Sequence, residues 1–251
     1  MGLIQTKKNL VISAGTRVLV ARGITWRPRK IIENWTPLWA IATDGEWVAA
    51  TSDNSVVVWK GGTKYAHFLE NAPIFDIFIQ NGNLFAVTFS GEVTVRTLSS
   101  KRSVWSKKLS EWIESVDLSN EIIAFGTASG AVILLEAFSG NHIGKIEAHS
   151  EPVSAVKIYQ NYLVTAGESC VKLWDLRNLE GHITPIKTIY LYGKEATALE
   201  VSDKTLLIGC SDGNIWVWNL TTQKSQGIMR GHSSPPIRMK SYDHKKLVSA
   251  S

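Results

Sequence analysis

The feature that most constrains this chain is a strand-like ending that recurs at a nearly constant interval. The segment from Pro152 to Leu176 reads PVSAVKIYQNYLVTAGESCVKLWDL and contains three short runs rich in β-branched and apolar residues. Only three residues separate successive runs, Tyr-Gln-Asn and Gly-Glu-Ser, which predicts a three-stranded antiparallel meander. Related endings occur elsewhere, and the residues that align with Trp174 are Ala21, Trp59, Arg96, Leu135 and Trp218.

The spacing of these aligned residues predicts the fold class. From Ala21 to Trp218, the intervals are 38, 37, 39, 39 and 44 residues. A period of about 40 residues with four short strands per unit is typical of β-propeller blades. We therefore expect an all-β chain that forms a single propeller domain over residues 1–251, with units at about 1–34, 35–70, 71–109, 110–149, 150–190 and 191–231.

The last unit is shorter than the others. After Gly231-His232, the sequence predicts only a first strand at 237–242 and a second at 246–251. The favoured interpretation is a seven-bladed propeller whose last blade, 232–251, is incomplete at the C-terminus. The alternative is a closed six-bladed ring. The difference matters because an open propeller exposes strand edges that can pair with other chains.

The aligned endings carry a more specific signature. Trp174 is followed by Asp175, which gives a full Trp-Asp pair, whereas Trp59 is followed by Lys and Trp218 by Asn. Together with the Gly-His dipeptide at 231–232, these features resemble the WD (Trp-Asp) repeat family. The resemblance implies a WD-repeat β-propeller, and it covers nearly the whole chain, although the units that carry Arg96 and Leu135 are degenerate.

The resemblance also implies structural roles for particular residues. In the family, a His before the first strand, a Ser or Thr on the second, an Asp in the next turn, where this sequence has Glu168, and the Trp form a buried hydrogen-bonded chain. One unit approaches this pattern, with His149, Thr165, Glu168 and Trp174 followed by Asp175. The remaining motif positions are Asp53, Trp59, Asp212, Trp218, Gly231 and His232.

Composition and motifs argue against several classes of function. The six His residues are scattered, and the sequence has no G-x-S-x-G elbow, phosphate-binding loop or dinucleotide fingerprint. We therefore expect no catalysis, metal, cofactor or small-molecule substrate. No apolar run approaches the roughly 20 residues of a membrane-spanning helix, and the first residues predict no secretory leader. We interpret Cys170 and Cys210 as buried thiols of an intracellular protein, cytoplasmic or nuclear.

Tryptophan and basic residues supply the candidate binding sites. Ten Trp residues occur in 251, and Trp35, Trp39 and Trp112 lie near loops that enter a first strand. The resemblance implies that partners bind there, and exposed aromatic residues are common anchors; the alternative is that they pack between blades. The net charge is +5, and one basic cluster contains Trp26, Arg27, Arg29 and Lys30. A second basic group flanks Trp105, with Lys101, Arg102, Lys107 and Lys108.

These observations predict a non-catalytic WD-repeat scaffold or adaptor that mediates protein–protein interactions within a multi-protein complex. One alternative is an RNA-binding subunit of an RNA-processing or RNA-modifying complex, because interleaved basic and aromatic side chains suit phosphate contacts and base stacking. Another is an adaptor recruited to membranes through Gly2, in an M-G-x-x-x-T pattern followed by Lys7-Lys8. The basic groups are equally explained as solubilising charge on outer strands.

Overall fold

The structure is a computed structural model. It describes residues 3–5, 9–14, 17–22, 28–33, 40–119, 121–167, 169–177, 179, 183–242 and 246–250. Side chains are described from residue 40 onward within these ranges, except at 242, 246 and 248. In this part of the chain the regular elements are all β-strands, and none of it forms a helix suited by length and hydropathy to a transmembrane span.

The chain divides into two compact units, which are described separately. Unit 1 contains Met1–Ser110 and Phe138–Gly140. Its three sheets are antiparallel meanders in which neighbours in sequence are neighbours in the sheet. The first sheet contains β1 (Leu3–Gln5), β2 (Asn9–Ala14), β3 (Arg17–Arg22) and β4 (Pro28–Glu33). The second contains β5 (Ile41–Thr43), β6 (Trp47–Ser52), β7 (Ser55–Lys60) and β8 (Thr63–Leu69). The third contains β9 (Ile74–Gln80), β10 (Asn83–Thr88), β11 (Glu92–Thr97) and β12 (Arg102–Lys108).

Unit 2 contains Glu111–Ala137 and Asn141–Ser251. The fourth sheet contains β13 (Ile113–Ser119), β14 (Ile122–Thr127), β15 (Ala131–Glu136) and β16 (His142–Glu147). The fifth contains β17 (Ala155–Tyr159), β18 (Tyr162–Gly167), β19 (Cys170–Asp175) and β20 (Lys187–Tyr190). The sixth contains β21 (Ala196–Ser202), β22 (Thr205–Cys210), β23 (Ile215–Asn219) and β24 (Lys224–Met229). The seventh is the pair β25 (Arg238–Tyr242) and β26 (Lys246–Ala250).

The strand register places the six aligned sequence positions at one equivalent site. Each lies on the third strand of its sheet and pairs with the second residue of the second strand. The pairs are Ala21 with Leu10, Trp59 with Val48, Arg96 with Leu84, Leu135 with Ile123, Trp174 with Leu163, and Trp218 with Leu206. The prediction of an all-β fold built from repeated four-stranded antiparallel sheets is confirmed, whereas the number of blades and the single-domain interpretation stay predictions.

The cores lie between neighbouring sheets within each unit. In unit 1, a buried cluster joins the second and third sheets and includes Trp47, Val58, Ile77 and Leu84. In unit 2, one cluster joins the fourth and fifth sheets, and a second joins the fifth and sixth. The two cysteines of unit 2 are free and buried, as predicted, and burial beside Asp212 raises the pKa of Cys210 to about 11. The Cys210 thiol therefore stays protonated at neutral pH.

Two turns between a second and a third strand require glycine. Gly130 has φ +90°, and a Cβ there would lie 2.1 Å from the carbonyl oxygen of His149. Gly213 occupies the matching turn of the sixth sheet with φ +81°, and a Cβ there would lie 2.5 Å from the carbonyl oxygen of His232. Both positions combine the left-handed conformation with a close backbone approach, which only glycine accommodates.

We expect Gly130→Ala to lower the free energy of unfolding by clearly more than about 1 kcal/mol, because strain at positive φ adds to the clash with the His149 backbone. Gly45→Ala is the matched control, since Gly45 has φ +99° but a Cβ there would meet nothing within 4 Å. Urea denaturation of both variants separates the two effects. Equal losses of stability would contradict the proposed close approach.

Candidate interaction surface

Three of the four residues assigned to a buried polar chain lie together in unit 2. Trp174 Nε1 donates a hydrogen bond of 2.9 Å to Thr165 Oγ1, and His149 Nε2 lies 2.9 Å from the same hydroxyl. All three side chains are buried. Glu168, the fourth residue, lies outside the described residues. The chain joins the loop before β17 to the second and third strands, so it holds that loop against its own sheet.

A related link occurs in the seventh sheet. His232 Nε2 lies 2.6 Å from Ser249 Oγ, and Ser249 is the fourth residue of β26 as Thr165 is of β18. The preceding Gly231 also has a positive φ, +158°, close to extended backbone. The Gly-His dipeptide therefore places its imidazole against a second-strand hydroxyl in the same way as His149.

The third sheet contains an ion pair where the fifth has its polar chain. Arg96, at the position of Trp174, donates hydrogen bonds from Nη1 and Nη2 to the carboxylate of Glu70, with Nη2 3.3 Å from Oε2. Glu70 lies in the loop before β9 and its side chain is 3% exposed. Sequence analysis counted this unit as degenerate and missed the pair, because the two residues are 26 positions apart and match no motif.

The other motif residues have separate environments. Asp212 forms an ion pair with Lys194 and accepts a hydrogen bond from the backbone N–H of Asn214. Burial raises the pKa of the Asp212 carboxyl, but these hydrogen bonds outweigh that effect, so the pKa is lowered overall. Arg177 hydrogen-bonds to the surface Asp175 and lowers the pKa of that carboxyl to about 2. Asp53 accepts from Ile74 N through its backbone carbonyl at 2.9 Å. Trp59 is buried in unit 1, and Trp218 is half-buried in the cluster between the fifth and sixth sheets.

Hydroxyl side chains join the beginnings of the first strands in unit 2. Ser115, Ser154 and Thr197 each donate to a backbone carbonyl at the start of the next sheet. The acceptors are Val153 O at 2.6 Å, Ala196 O at 2.8 Å and Pro236 O at 2.6 Å. The loops before β13, β17, β21 and β25 therefore lie side by side. We call these loops, together with the turns between second and third strands, the proximal edge: residues 111–112, 128–130, 148–154, 169, 191–195, 211–214 and 230–237.

Further along the same first strands, four charged residues alternate in sign. Asp117, Lys157, Glu200 and Lys240 each pair with the third residue of the neighbouring second strand. We call these four residues the charge row. The contacts are Lys157 Nζ to Asp117 at 2.8 Å, Lys157 Nζ to Glu200 at 3.8 Å and Lys240 Nζ to Glu200 at 3.6 Å.

Backbone and hydroxyl donors complete the charge row. Ile158 N donates to Asp117 Oδ2 at 2.8 Å, and Ser241 donates to Glu200 Oε1 through its N–H at 3.0 Å and its hydroxyl at 2.8 Å. Burial opposes the charge of Lys157, but Asp117 and Glu200 outweigh it and raise its pKa to about 12. The neighbouring Lys157 ammonium, with burial, lowers the pKa of Lys240. The charge row therefore joins the first strands of the four neighbouring sheets of unit 2 through ion pairs.

The proximal edge of unit 2 exposes large apolar side chains. Trp112 is 64% exposed, Tyr192 85% and Ile237 55%, and they precede β13, β21 and β25. Tyr192 lies at the tip of a firmly held turn: Leu191, which is buried, donates its N–H to Ser169 O at 2.7 Å, and Lys194 N donates to Leu191 O at 3.3 Å. The ring is therefore presented to solvent by an ordered backbone.

The structure describes only part of the predicted binding set. Trp112 is exposed at a loop that enters a first strand, where the sequence placed it. Trp26, Arg27, Trp35 and Trp39 lie outside the described residues. Only the backbone of Arg29 and Lys30 is described, on β4. The role of the first basic cluster as a binding site therefore stays a prediction.

The three lysines of the second basic group make contacts within unit 1. Lys101 Nζ donates to Tyr65 O at 3.2 Å, Lys107 Nζ to Gly140 O at 2.6 Å and Lys108 Nζ to Ser90 Oγ at 2.8 Å. Trp105 lies against Gly140, where a Cβ would approach its ring to 2.8 Å. These contacts favour the interpretation of this group as structural and solubilising charge. Among the side chains that the structure describes, no three His, Cys, Asp or Glu are grouped as metal ligands would be.

Repeated four-stranded antiparallel sheets, together with the buried hydrogen-bonded chain of His149, Thr165 and Trp174 in unit 2, are consistent with a WD-repeat β-propeller. The family model for the WD domain, G-beta repeat, matches residues 27–60 and 140–175. The chain therefore resembles WD-repeat proteins in sequence at these two places.

Comparisons with known proteins agree with this class. The chain is 29% identical to Elongator complex protein 2 of Saccharomyces cerevisiae over 112 residues, 42% of this chain and 14% of that protein. It is 25% identical to pre-mRNA-processing factor 19 of Oryza sativa subsp. japonica over 211 residues, 74% of this chain and 39% of that protein. The chain thus spans well under half the length of these relatives. A crystal structure of the computationally designed Ika8 protein matches with TM-score 0.77 at 17% identity, over 99% of this chain and 92% of that one, which shows the fold.

Proposed function

We propose that this chain is a non-catalytic scaffold or adaptor that binds protein partners in a multi-protein complex, in the cytoplasm or nucleus, through the proximal edge of unit 2. The observation that carries the proposal is the exposure of Trp112, Tyr192 and Ile237 at this edge. Large aromatic and apolar side chains at the centre of an interface supply most of its binding energy. An exposed set of them on one edge marks a binding surface.

The scaffold supports this use of the edge. The hydroxyl hydrogen bonds of Ser115, Ser154 and Thr197 hold the loops in place relative to one another before a partner binds. A preorganised surface loses little conformational entropy on binding, so more of the contact energy appears as affinity. One of the similar proteins is itself named as a protein of a complex, Elongator complex protein 2.

The test is a triple variant, Trp112→Ser, Tyr192→Ser and Ile237→Ser, in the tagged protein isolated from its own cells after nuclease treatment. We expect proteins that copurify with the wild type to fall by about 10-fold or more, because each lost anchor removes on the order of 1–2 kcal/mol of binding energy. Quantitative mass spectrometry measures the loss, and circular dichroism checks that the variant is folded.

The matched control is Val104→Ser with Ile186→Ser. These side chains are 50% and 45% exposed and do not belong to the proximal edge: Val104 is on the outer strand β12 of unit 1, and Ile186 precedes β20. The control should retain the partners. Partners that survive in the triple variant would refute the proposed surface, and partners that vanish after nuclease treatment alone would favour the RNA-binding alternative.

A further inference from the structure

The proximal edge of unit 2 carries negative charge, although the chain as a whole is +5. Its described residues contain four carboxylates against two cations. The acids are Glu111, Glu151, Glu195 and Asp212, and the bases are Lys194 and Arg230. Beside the edge, Glu114, exposed on β13 two residues after Trp112, adds a fifth carboxylate. Two cations also lie beside it: Arg238 is exposed at the start of β25, and Lys172 Nζ donates to Ala148 O at 2.7 Å. Five carboxylates against four cations leave this surface slightly negative, whereas the whole chain is +5.

Several of these charges are already neutralised. Asp212 pairs with Lys194, and Glu111 lies 3.3 Å from Lys145. The carboxylates of Glu114, Glu151 and Glu195 have no ion-pair partner among the described residues, and all three are exposed. They lie at the beginnings of the fourth, fifth and sixth sheets, one carboxylate per sheet.

Aromatic rings accompany two of these carboxylates. Glu114 follows Trp112 by two residues, and Glu195 follows Tyr192 by three. Both rings are largely exposed, at 64% and 85%. A carboxylate next to an exposed ring suits a guanidinium, which forms bidentate hydrogen bonds with the carboxylate and stacks its planar face on the ring. A lysine ammonium matches such a site less well because it has no planar face.

We propose that the partner bound at this edge presents an arginine-rich protein segment, which rests on the proposed function of the same surface. Arginine side chains of the segment pair with Glu114, Glu151 and Glu195 and stack on Trp112 and Tyr192. A polyanion such as RNA is repelled by the same carboxylates. The basic character of the chain elsewhere does not attract the segment, so its binding is confined to this edge.

The experiment uses the 251-residue chain and fluorescein-labelled 12-residue peptides in a fluorescence anisotropy titration. One peptide set carries four arginines spaced by Gly, Ser and Leu in several arrangements, and matched sets carry lysine or glutamate instead. A 12-nucleotide uridine RNA is the polyanion probe. We expect at least one arginine peptide to bind, about 5-fold or more tighter than its lysine counterpart, and neither the glutamate peptides nor RNA to compete.

The test variant is Glu114→Gln, Glu151→Gln and Glu195→Gln, which we expect to weaken arginine-peptide binding by about 10-fold or more. The control variant is Glu46→Gln, Glu121→Gln and Glu136→Gln, which removes the same charge from exposed sites off the edge and should change affinity less than about 2-fold. Replacing exposed Glu by Gln preserves size, so both variants should fold.

The outcomes separate this inference from the proposed function. No binding by any arginine peptide, equal effects of the two glutamine variants, or tight RNA binding lost in the test variant would overturn the arginine inference. If the partners of the wild-type protein still depend on Trp112, Tyr192 and Ile237, the proposed function then stands with a different partner chemistry. If those partners are also unaffected by the serine variant, both proposals fall.

Discussion

Glu200→Ala is expected to lower the free energy of unfolding by about 3–5 kcal/mol, the range for breaking one side of a buried ion pair. Glu200 is 3% exposed and faces the ammonium groups of both Lys157 and Lys240. Its removal leaves two cations adjacent in a partly dehydrated site and deprives the Ser241 N–H and hydroxyl of their acceptor. Urea denaturation followed by tryptophan fluorescence measures the change.

The matched control for Glu200→Ala is Glu147→Ala. Glu147 lies 3.1 Å from Lys145, but its side chain is 75% exposed, so its loss should change stability by less than about 1 kcal/mol. If the two variants lower the free energy of unfolding equally, the charge row contributes no more to stability than a surface ion pair does.

The pH dependence gives a second measurement on the same network. The pKa of Lys157 is raised from 10.5 to about 12, so its contribution to stability is fully present below pH 10.5 and is lost as the pH rises toward 12. Glu200→Ala removes part of the cause of that increase. The stability of the variant should therefore be less sensitive than that of the wild type to a rise in pH above 10.5.

Trp174→Ala is expected to lower the free energy of unfolding by about 3–5 kcal/mol, whereas Trp112→Ala should change it by less than about 0.5 kcal/mol. Trp174 is 2% exposed, fills the cluster between the fourth and fifth sheets and donates to Thr165. Trp112 is 64% exposed. The same substitution thus tests a core tryptophan against a surface one, by chemical denaturation.

Thr165→Val separates the polar part of this effect from the apolar part. It preserves shape but removes the partner of Trp174 Nε1 and of His149 Nε2, so it should lower stability by about 1–3 kcal/mol. If Thr165→Val leaves the free energy of unfolding unchanged, the hydrogen-bonded chain contributes nothing to stability beyond the core contacts of the Trp174 indole.

The repeat architecture could be predicted from the sequence because its signal is periodic and local. Short apolar runs separated by polar turns indicate the strands of each sheet. The spacing between Trp59, Trp174 and Trp218 indicates the repeat from one sheet to the next. The register that places Arg96 and Leu135 at the same site shows that the alignment holds even where the motif residue has changed.

The charge row and the exposure of single tryptophans could not be predicted in the same way. Asp117 and Lys157 are 40 positions apart, each surrounded by apolar neighbours, and their contact depends on how two sheets pack. Aligning the first strands with one another would have shown the alternating signs. Composition also cannot separate Trp47, which is 4% exposed, from Trp112, which is 64% exposed, since both adjoin a strand. Only tertiary structure assigns one to a core and the other to a surface.

The alternation of sign along the charge row also limits which sheets can be gained or lost in evolution. Excision of the fifth sheet would place Asp117 against Glu200, and excision of the sixth would place Lys157 against Lys240. Duplication of either sheet alone would likewise set two equal charges side by side, which is destabilising in a partly buried site. Gain or loss of two consecutive sheets preserves the order of signs. Because neighbouring sheets carry opposite charges in the row, one sheet cannot take the place of the next without setting like charges together. The row therefore disfavours mispairing of similar sheets during folding.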